Sequence, residues 1–249
     1  MAGGADVVTD RLRELLAEIG LDPDDPGDRS EAWRALHERF GRRITLVDRY
    51  ELEGRELDRR ERTRLAREVM ALQYPGSEFA GRPRGDPVEV VPYDPTWPDR
   101  YEQWRQRLAA AFGEAAVRID HVGSTAVPGL AAKPVIDIQV GVADVEEEAA
   151  YVPGIESLGV ALRFREPGHR YFRPPAGRPR DVQIHVCGAG SAWECEHLRF
   201  RDLLLADPEL AERYGRLKLE LCARYRDDRL AYTDAKTVFI LDALDLAAQ

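Results

Sequence analysis

The spacing of apolar residues divides the chain into a helical first third and a remainder in which strands alternate with helices. Leu12, Leu15, Leu16 and Ile19 recur at three and four residues behind the candidate caps Thr9 and Asp10, and Gly20 ends the pattern, so a helix is expected over 9–20. Residues 22–27, rich in Asp and Pro, read as a loop. A second helix is expected over about 30–40, capped by Ser30, with Trp33, Leu36, His37 and Phe40 on one side. Residues 48–68 read as one or two more, with Leu52, Leu57 and Leu65 apolar. The expected division is a helical module over 1–85, its last stretch a Pro- and Gly-rich linker, and a second domain over 86–249.

In the second part, a strand is expected at Val88–Pro92 and a helix from Trp97 to Phe112, with Tyr101, Trp104, Leu108 and Phe112 at helical spacing. Strands follow near 116–122 and 135–142. A helix is expected over about 144–157, with Glu146, Glu147 and Glu148 in its early turns, where the helix dipole favours acid. Residues 160–165 and 170–174 read as paired strands and 182–187 as another. Helices are expected over 195–205, 208–228 and 232–247, with Pro208 opening the second. Apolar strands separated by helical patterns require a sheet covered by helices, so the fold class is α/β (α+β) with a mixed sheet.

Composition narrows the function. The 249 residues are 44% hydrophobic and 33% charged, with a net charge of -9. That balance argues against a general nucleic-acid coat, which needs a basic stripe, and leaves room for a local basic pocket around one nucleotide. No apolar run approaches 18 residues, so no membrane span is expected. The segment Met1–Asp6 lacks a basic region followed by an apolar one, so no signal peptide is expected. Three cysteines without a disulfide framework suit a reducing cytoplasm, the expected location.

The chemistry concentrates in residues 120–140. There a Gly123-Ser124-Thr125 turn follows one apolar strand, and Asp137 sits between Ile136 and Ile138 on the next. Such a turn offers amides and a hydroxyl to phosphate oxygens, and the carboxylate offers hard oxygens to Mg2+. An unpaired carboxylate in an apolar strand is costly, which favours a functional Asp137 over a merely structural one. Lys133, just before that strand, is a candidate phosphate contact. Gln183 and His185 share one face of a later strand, with Asp181 at its entrance. His185 titrates near neutral pH when unperturbed and suits proton transfer better than Mg2+ binding. Arg170 and Arg173 flank Tyr171 and Phe172 as a candidate anion clamp, whereas Arg178 and Arg180 read as a solvated loop. His185, Cys187, Cys195 and His197 do not have the spacing of the usual structural zinc modules. No Gly-x4-Gly-Lys-Ser/Thr run occurs, so there is no P-loop.

These residues resemble the GrpB family, a group with the nucleotidyltransferase fold. The resemblance rests on Tyr93 to Trp97 and Pro98, on Gly123 to Leu130, on Lys133 and Pro134, and on the strand Val135 to Val140. It continues in the His185 strand, in Trp193, in Phe200 to Leu204, in Tyr214 and Lys218, and in Tyr232 and Lys236, spanning about residues 88–246. It implies a nucleotidyltransferase-like sheet, a nucleotide or phosphorylated small molecule as ligand, Mg2+ as cofactor, and possible transfer of a nucleotidyl group. The implied site has Asp137 and His185 in catalysis, Asp137 on the metal, and Gly123, Ser124, Thr125, Lys133, Arg170, Arg173 and Lys218 on the phosphates. Enzymes of this fold carry two carboxylates one residue apart on the strand. Here Asp137 stands alone, with Val135 and Gln139 at the neighbouring positions of its face. That departure keeps open a catalytically inactive ligand-binding module, or an interaction or folding domain. Relatives are also fused to dephospho-coenzyme A kinase, whose P-loop this chain lacks.

Overall fold

The computed structural model of the chain describes residues 87–247, together with Ala17, residues 20–22 and Glu78–Phe79. Ala17 is helical, and Gly20, at φ +77°, turns its amide onto the Ala17 carbonyl. The rest of the helical module expected over the first 85 residues lies outside the described residues. Two compact units are distinguished: one spans Gly76–Asp227, and the last helix lies in the other.

The first unit is built on one mixed sheet. Its elements are β1 (Glu78–Phe79), α1 (Trp97–Phe112), β2 (Ala116–Val122), β3 (Ile136–Val142), α2 (Val152–Ser157), β4 (Ala161–Glu166), β5 (His169–Arg173), β6 (Val182–Gly188), α3 (Ala192–Ala206) and α4 (Pro208–Arg224). The strand order is β1-β4-β5-β6-β3-β2. Only β3 and β6 pair in parallel; the other neighbours are antiparallel. The mixed sheet with flanking helices is the architecture expected from the sequence.

Strand parity sets the two faces of the sheet. Ile136, Ile138, Val140 and Val142 of β3 and Val182, Ile184 and Val186 of β6 are buried together with Phe172. Trp97, Leu108 and Phe112 of α1 and Tyr151 and Ile155 beside and within α2 complete this core. The helix over Trp97–Phe112 has the bounds read from its periodicity, with Pro98 in its first turn, where a missing N–H costs nothing. The alternate positions of β3, β5 and β6 face the other way, and α3 lies against β2 and β6 on that side.

Two expected elements differ. Val88–Pro92 forms no strand; its one pairing is an isolated bridge from Val91 to Ala132. Pro87 and Pro92 bracket it, and neither can donate to a ladder. The helix expected over about 144–157 breaks into a single 3-10 turn at Glu148–Ala150 and the short α2. Pro153 has no N–H to carry a helical ladder back into the preceding turn, so it starts a helix instead of continuing one. Glu146 and Glu148 do not face a helix dipole; they bind arginines, as described below.

In the second unit, α5 (Arg229–Leu246) opens on Asp228, whose side chain accepts from the Ala231 amide at 3.1 Å. Lys236 Nζ sits over the Tyr232 ring at 5.0 Å. No helix among the described residues is long and apolar enough to cross a membrane.

Candidate functional site

The polar face of the sheet carries the chemistry. From β3 to β5 its residues are Asp137 and Gln139, then Gln183, His185 and Cys187, then His169, Tyr171 and Arg173. The register pairs Asp137 with Gln183, Gln139 with His185, and His185 with Tyr171. Asp137 and His185 therefore share a face on neighbouring strands, offset by one side-chain repeat. With strands ~4.8 Å apart and a rise of ~3.3 Å per residue, their Cα atoms lie about 8 Å apart.

At the start of β3 the sequence-predicted turn and carboxylate meet. Gly123 follows β2 at φ +70° and ψ -172°, a conformation open essentially to glycine alone. A Cβ at Gly123 would lie 2.7 Å from Asp137 Oδ2 and 3.2 Å from Asp137 Cβ. The half-buried Asp137 is thus lodged against bare backbone. With the Gln183 amide oriented to satisfy both neighbours, its nitrogen donates to Asp137 Oδ1 at 3.0 Å and its oxygen accepts from Arg180 at 2.9 and 3.0 Å. Arg180 also donates to the Tyr171 hydroxyl at 2.9 Å. A cation that the sequence assigned to a solvated loop is therefore tied to the polar face. Burial raises the Tyr171 pKa; the positive charge of Arg180 opposes that shift, and Asp137 adds to it.

Thr125 does other work. Its buried hydroxyl contacts His121 Nε2 at 2.9 Å and donates to the Val135 carbonyl at 3.3 Å, bracing the turn between β2 and β3. His121 stacks on Tyr101, with ring centroids 4.7 Å apart. Burial, with the Arg201 charge adding to it, lowers the His121 pKa to about 4. Ser124 is half-buried and hydrogen-bonds the Tyr214 hydroxyl from α4; burial raises the Tyr214 pKa, and the Ser124 bond opposes the rise. Lys218, also on α4, is buried, with its ammonium donating to the Ala131 carbonyl in the loop that leads to β3 and lying 4.7 Å from the centroid of the Tyr214 ring. Lys133 is half-buried in that same loop.

The two candidate clamp arginines part company. Arg173 is buried at the end of β5 on the parity of Tyr171, whose hydroxyl feels its charge. Arg170 points to the opposite face, where its guanidinium binds Glu146 and Glu148 at 2.5 Å each and donates to the Glu166 carbonyl at 2.7 Å. The expectation that Arg170 contacts phosphate is corrected: residues three apart on a strand face opposite sides, and its charge is already matched.

His185 is enclosed by rings. His169 lies 5.2 Å away, Tyr171 5.1 Å and Trp193 of α3 5.2 Å between centroids. Its Nδ1 is 2.9 Å from His169 Nε2, and His169 Nδ1 is 2.6 Å from Glu166 Oε1. Some His185 surface still reaches solvent, but burial holds its pKa well below the ordinary histidine value. Glu166 and His169 escaped the sequence reading. Their signal was the turn Glu166-Pro167-Gly168-His169, with Gly168 at φ +75°, which sets the two opposite each other across a two-residue hairpin.

The donor set bears on the implied metal. Gln139, the next residue on the face of Asp137, is fully buried, with its amide 3.4 Å from the Glu194 carbonyl. Asp181 gives its carbonyl to the Ile136 amide. Among the described residues no three His, Cys, Asp or Glu side chains gather as a metal site. Two Mg2+ ions need several bridging carboxylates, which this face does not offer. One Mg2+ that keeps its waters and takes a single carboxylate plus ligand phosphates fits Asp137.

Comparison with known proteins gives a consistent relationship. The family model described as GrpB protein matches residues 87–245. A UPF0157 protein of Streptomyces coelicolor is 42% identical over 164 residues, covering 66% of this chain and 86% of that protein. A dephospho-CoA kinase of Mycobacterium tuberculosis is 34% identical over 193 residues, covering 65% of this chain and 46% of the kinase. The crystal structure of a conserved GrpB protein from Enterococcus faecalis superposes with a TM-score of 0.57 at 29% identity, covering 65% of this chain and all of that one.

Proposed function

The chain belongs to the GrpB family, and from that premise we propose that it binds a nucleotide or a related phosphorylated small molecule where the Gly123 turn meets Asp137. The observation that carries this reading is the lodging of a carboxylate against backbone that a side chain would fill, with the Asp137 Oδ2 atom 2.7 Å from the Cβ position of Gly123. Backbone this bare lets amides approach a phosphate oxygen. Arg173 and Arg180 supply positive charge on the same face. The name of the mycobacterial relative, dephospho-CoA kinase, points toward the same class of ligand.

Asp137 would hold Mg2+ together with the phosphates, and the ion would neutralise phosphate charge during transfer of a nucleotidyl group. Asp137 orients through Gln183, and His185 on the neighbouring strand moves a proton at the acceptor. With Gln139 in place of a second carboxylate, transfer is slow, or absent in favour of simple binding.

Isothermal titration with ATP, GTP and CTP, with and without Mg2+, tests the proposal. Metal-dependent binding that is lost in Asp137→Asn while the circular dichroism spectrum is kept supports it. Metal-independent binding supports the binding module without catalysis. If none of the three nucleotides binds, or the Asn variant binds like the wild type, the site is wrongly placed.

A further inference from the structure

The Glu166–His169–His185 chain has a direction. Glu166 and His169 are 6% and 5% exposed, and their 2.6 Å contact is a charge-assisted bond in which a carboxylate can only accept. His169 must then carry its proton on Nδ1. In the neutral ring its Nε2 is a lone pair, and the 2.9 Å contact to His185 then has His185 Nδ1 as the donor. His185 Nε2, which has no hydrogen-bond partner among the described residues, is left with its lone pair. The second Glu166 oxygen, Oε2, is buried without a hydrogen-bond partner, so the His169 N–H is the bond that holds this carboxylate.

We propose that Glu166 and His169 are positioning residues that fix His185 as the Nδ1–H tautomer and so make it a proton acceptor at Nε2, a general base and not an acid. This rests on the reading of the polar face as a ligand site. The proton taken is that of a hydroxyl, on water or on an alcohol acceptor. The O–H bond breaks, an N–H bond forms at Nε2, and the electron pair stays on the oxygen. The Nδ1 proton of His185 can then pass to His169 Nε2, which leaves an imidazolium against the Glu166 carboxylate instead of a charge on His185 without a carboxylate partner.

The surroundings agree with the direction. The groups facing His185 are His169 and Tyr171 from β5, Arg180 from the loop before β6, and His197 from α3. Of these, Arg180 is permanently cationic, so a resting imidazolium is disfavoured and the neutral ring is the state that meets the ligand. Trp193 lies between His197, at 3.7 Å, and His169, at 4.4 Å, which holds the His169 ring in line.

Long-range 1H–15N NMR of the full chain with 15N-labelled histidine, without ligand, tests this independently of nucleotide binding. Signals are assigned through His185→Gln and His169→Gln. The expected result near pH 7.5 is that both His169 and His185 are Nδ1–H tautomers. In Glu166→Met, His185 is expected to lose that single tautomer and populate Nε2–H. An Nε2–H tautomer at His185 in the wild type would reverse the second bond of the chain, with His169 Nε2 as donor, and overturn the proposal. So would a folded Glu166→Met variant with an unchanged His185 tautomer. Should the Met variant not fold, the wild-type spectrum alone decides. A failed ATP titration beside the expected tautomers would refute the ligand reading and the base role with it, and leave the tautomer assignment of His185 standing.

Discussion

Replacing Gly123 by alanine tests the contact on which the functional reading depends. The backbone at φ +70° and ψ -172° penalises any side chain, by about 1–3 kcal/mol. The new methyl would also meet Asp137 Oδ2 at 2.7 Å, Cβ at 3.2 Å and Cγ at 3.3 Å. The carboxylate can swing away, but Asp137 Cβ is fixed to β3, so overpacking adds about 1–3 kcal/mol. The total is ~2–6 kcal/mol, which lowers Tm by about 5–25 °C at a few degrees per kcal/mol. Gly129, at φ +80° with nothing within 4 Å of its Cβ position, separates the two causes: Gly129→Ala carries conformational strain alone, about 1–2 kcal/mol. The decisive measurement is a double-mutant cycle by urea denaturation. In an Asp137→Gly background, Gly123→Ala should cost at least ~1 kcal/mol less than in the wild type, because Cβ, Cγ and Oδ2 are all gone. Equal costs in the two backgrounds, to within about 0.5 kcal/mol, would mean that the turn and the carboxylate do not touch, and the reasoning from bare backbone to a phosphate site would fail.

Three further outcomes are expected. Thr125→Val should destabilise the fold by about 1–3 kcal/mol, since it leaves His121 and the Val135 carbonyl short of a partner, while nucleotide affinity measured by titration changes little. Arg170→Met should lower the unfolding free energy measured in urea by about 1–3 kcal/mol without weakening nucleotide binding, because it removes the partner of Glu146 and Glu148 and nothing on the polar face. The folded state disfavours protonated His121, whose pKa falls from 6.5 to about 4, so the unfolded chain binds the extra proton; stability should fall as pH drops from about 6.5 to 4, by on the order of 2–3 kcal/mol, and a urea series over that range should flatten in His121→Asn.

How much of this was legible in the sequence depended on whether local pattern or tertiary pairing decided each feature. The α1 bounds and the strands β3 and β6 were readable because their apolar period is strict. The glycine turn and Asp137 were readable because one charge in an apolar run is conspicuous. The helix expected over 144–157 failed because Pro153 outweighed a favourable composition. Arg170 and Arg173 were grouped by proximity in sequence, although an odd separation on a strand sends them to opposite faces. Arg180 was passed over because composition marks a basic loop as solvated; its role comes from the strand pairing that brings Gln183 and Tyr171 together. The parity that sets Gln183 and His185 on one face of β6 also sets His169 and Tyr171 on that face of β5.

The alternation along β3 and β6 also governs how the lineage can change length. Chemistry and core occupy odd and even positions of the same strands, so one residue inserted or deleted inside either strand would turn Asp137 or His185 into the core and expose a row of isoleucine and valine. Such an event cannot be partly harmful: it removes function and folding together, and no single point substitution repairs it. Insertions at exposed bends, such as the loop over Pro175–Gly177, disturb neither row. Gain and loss of residues should therefore accumulate between strands, while the strands themselves evolve by substitution alone.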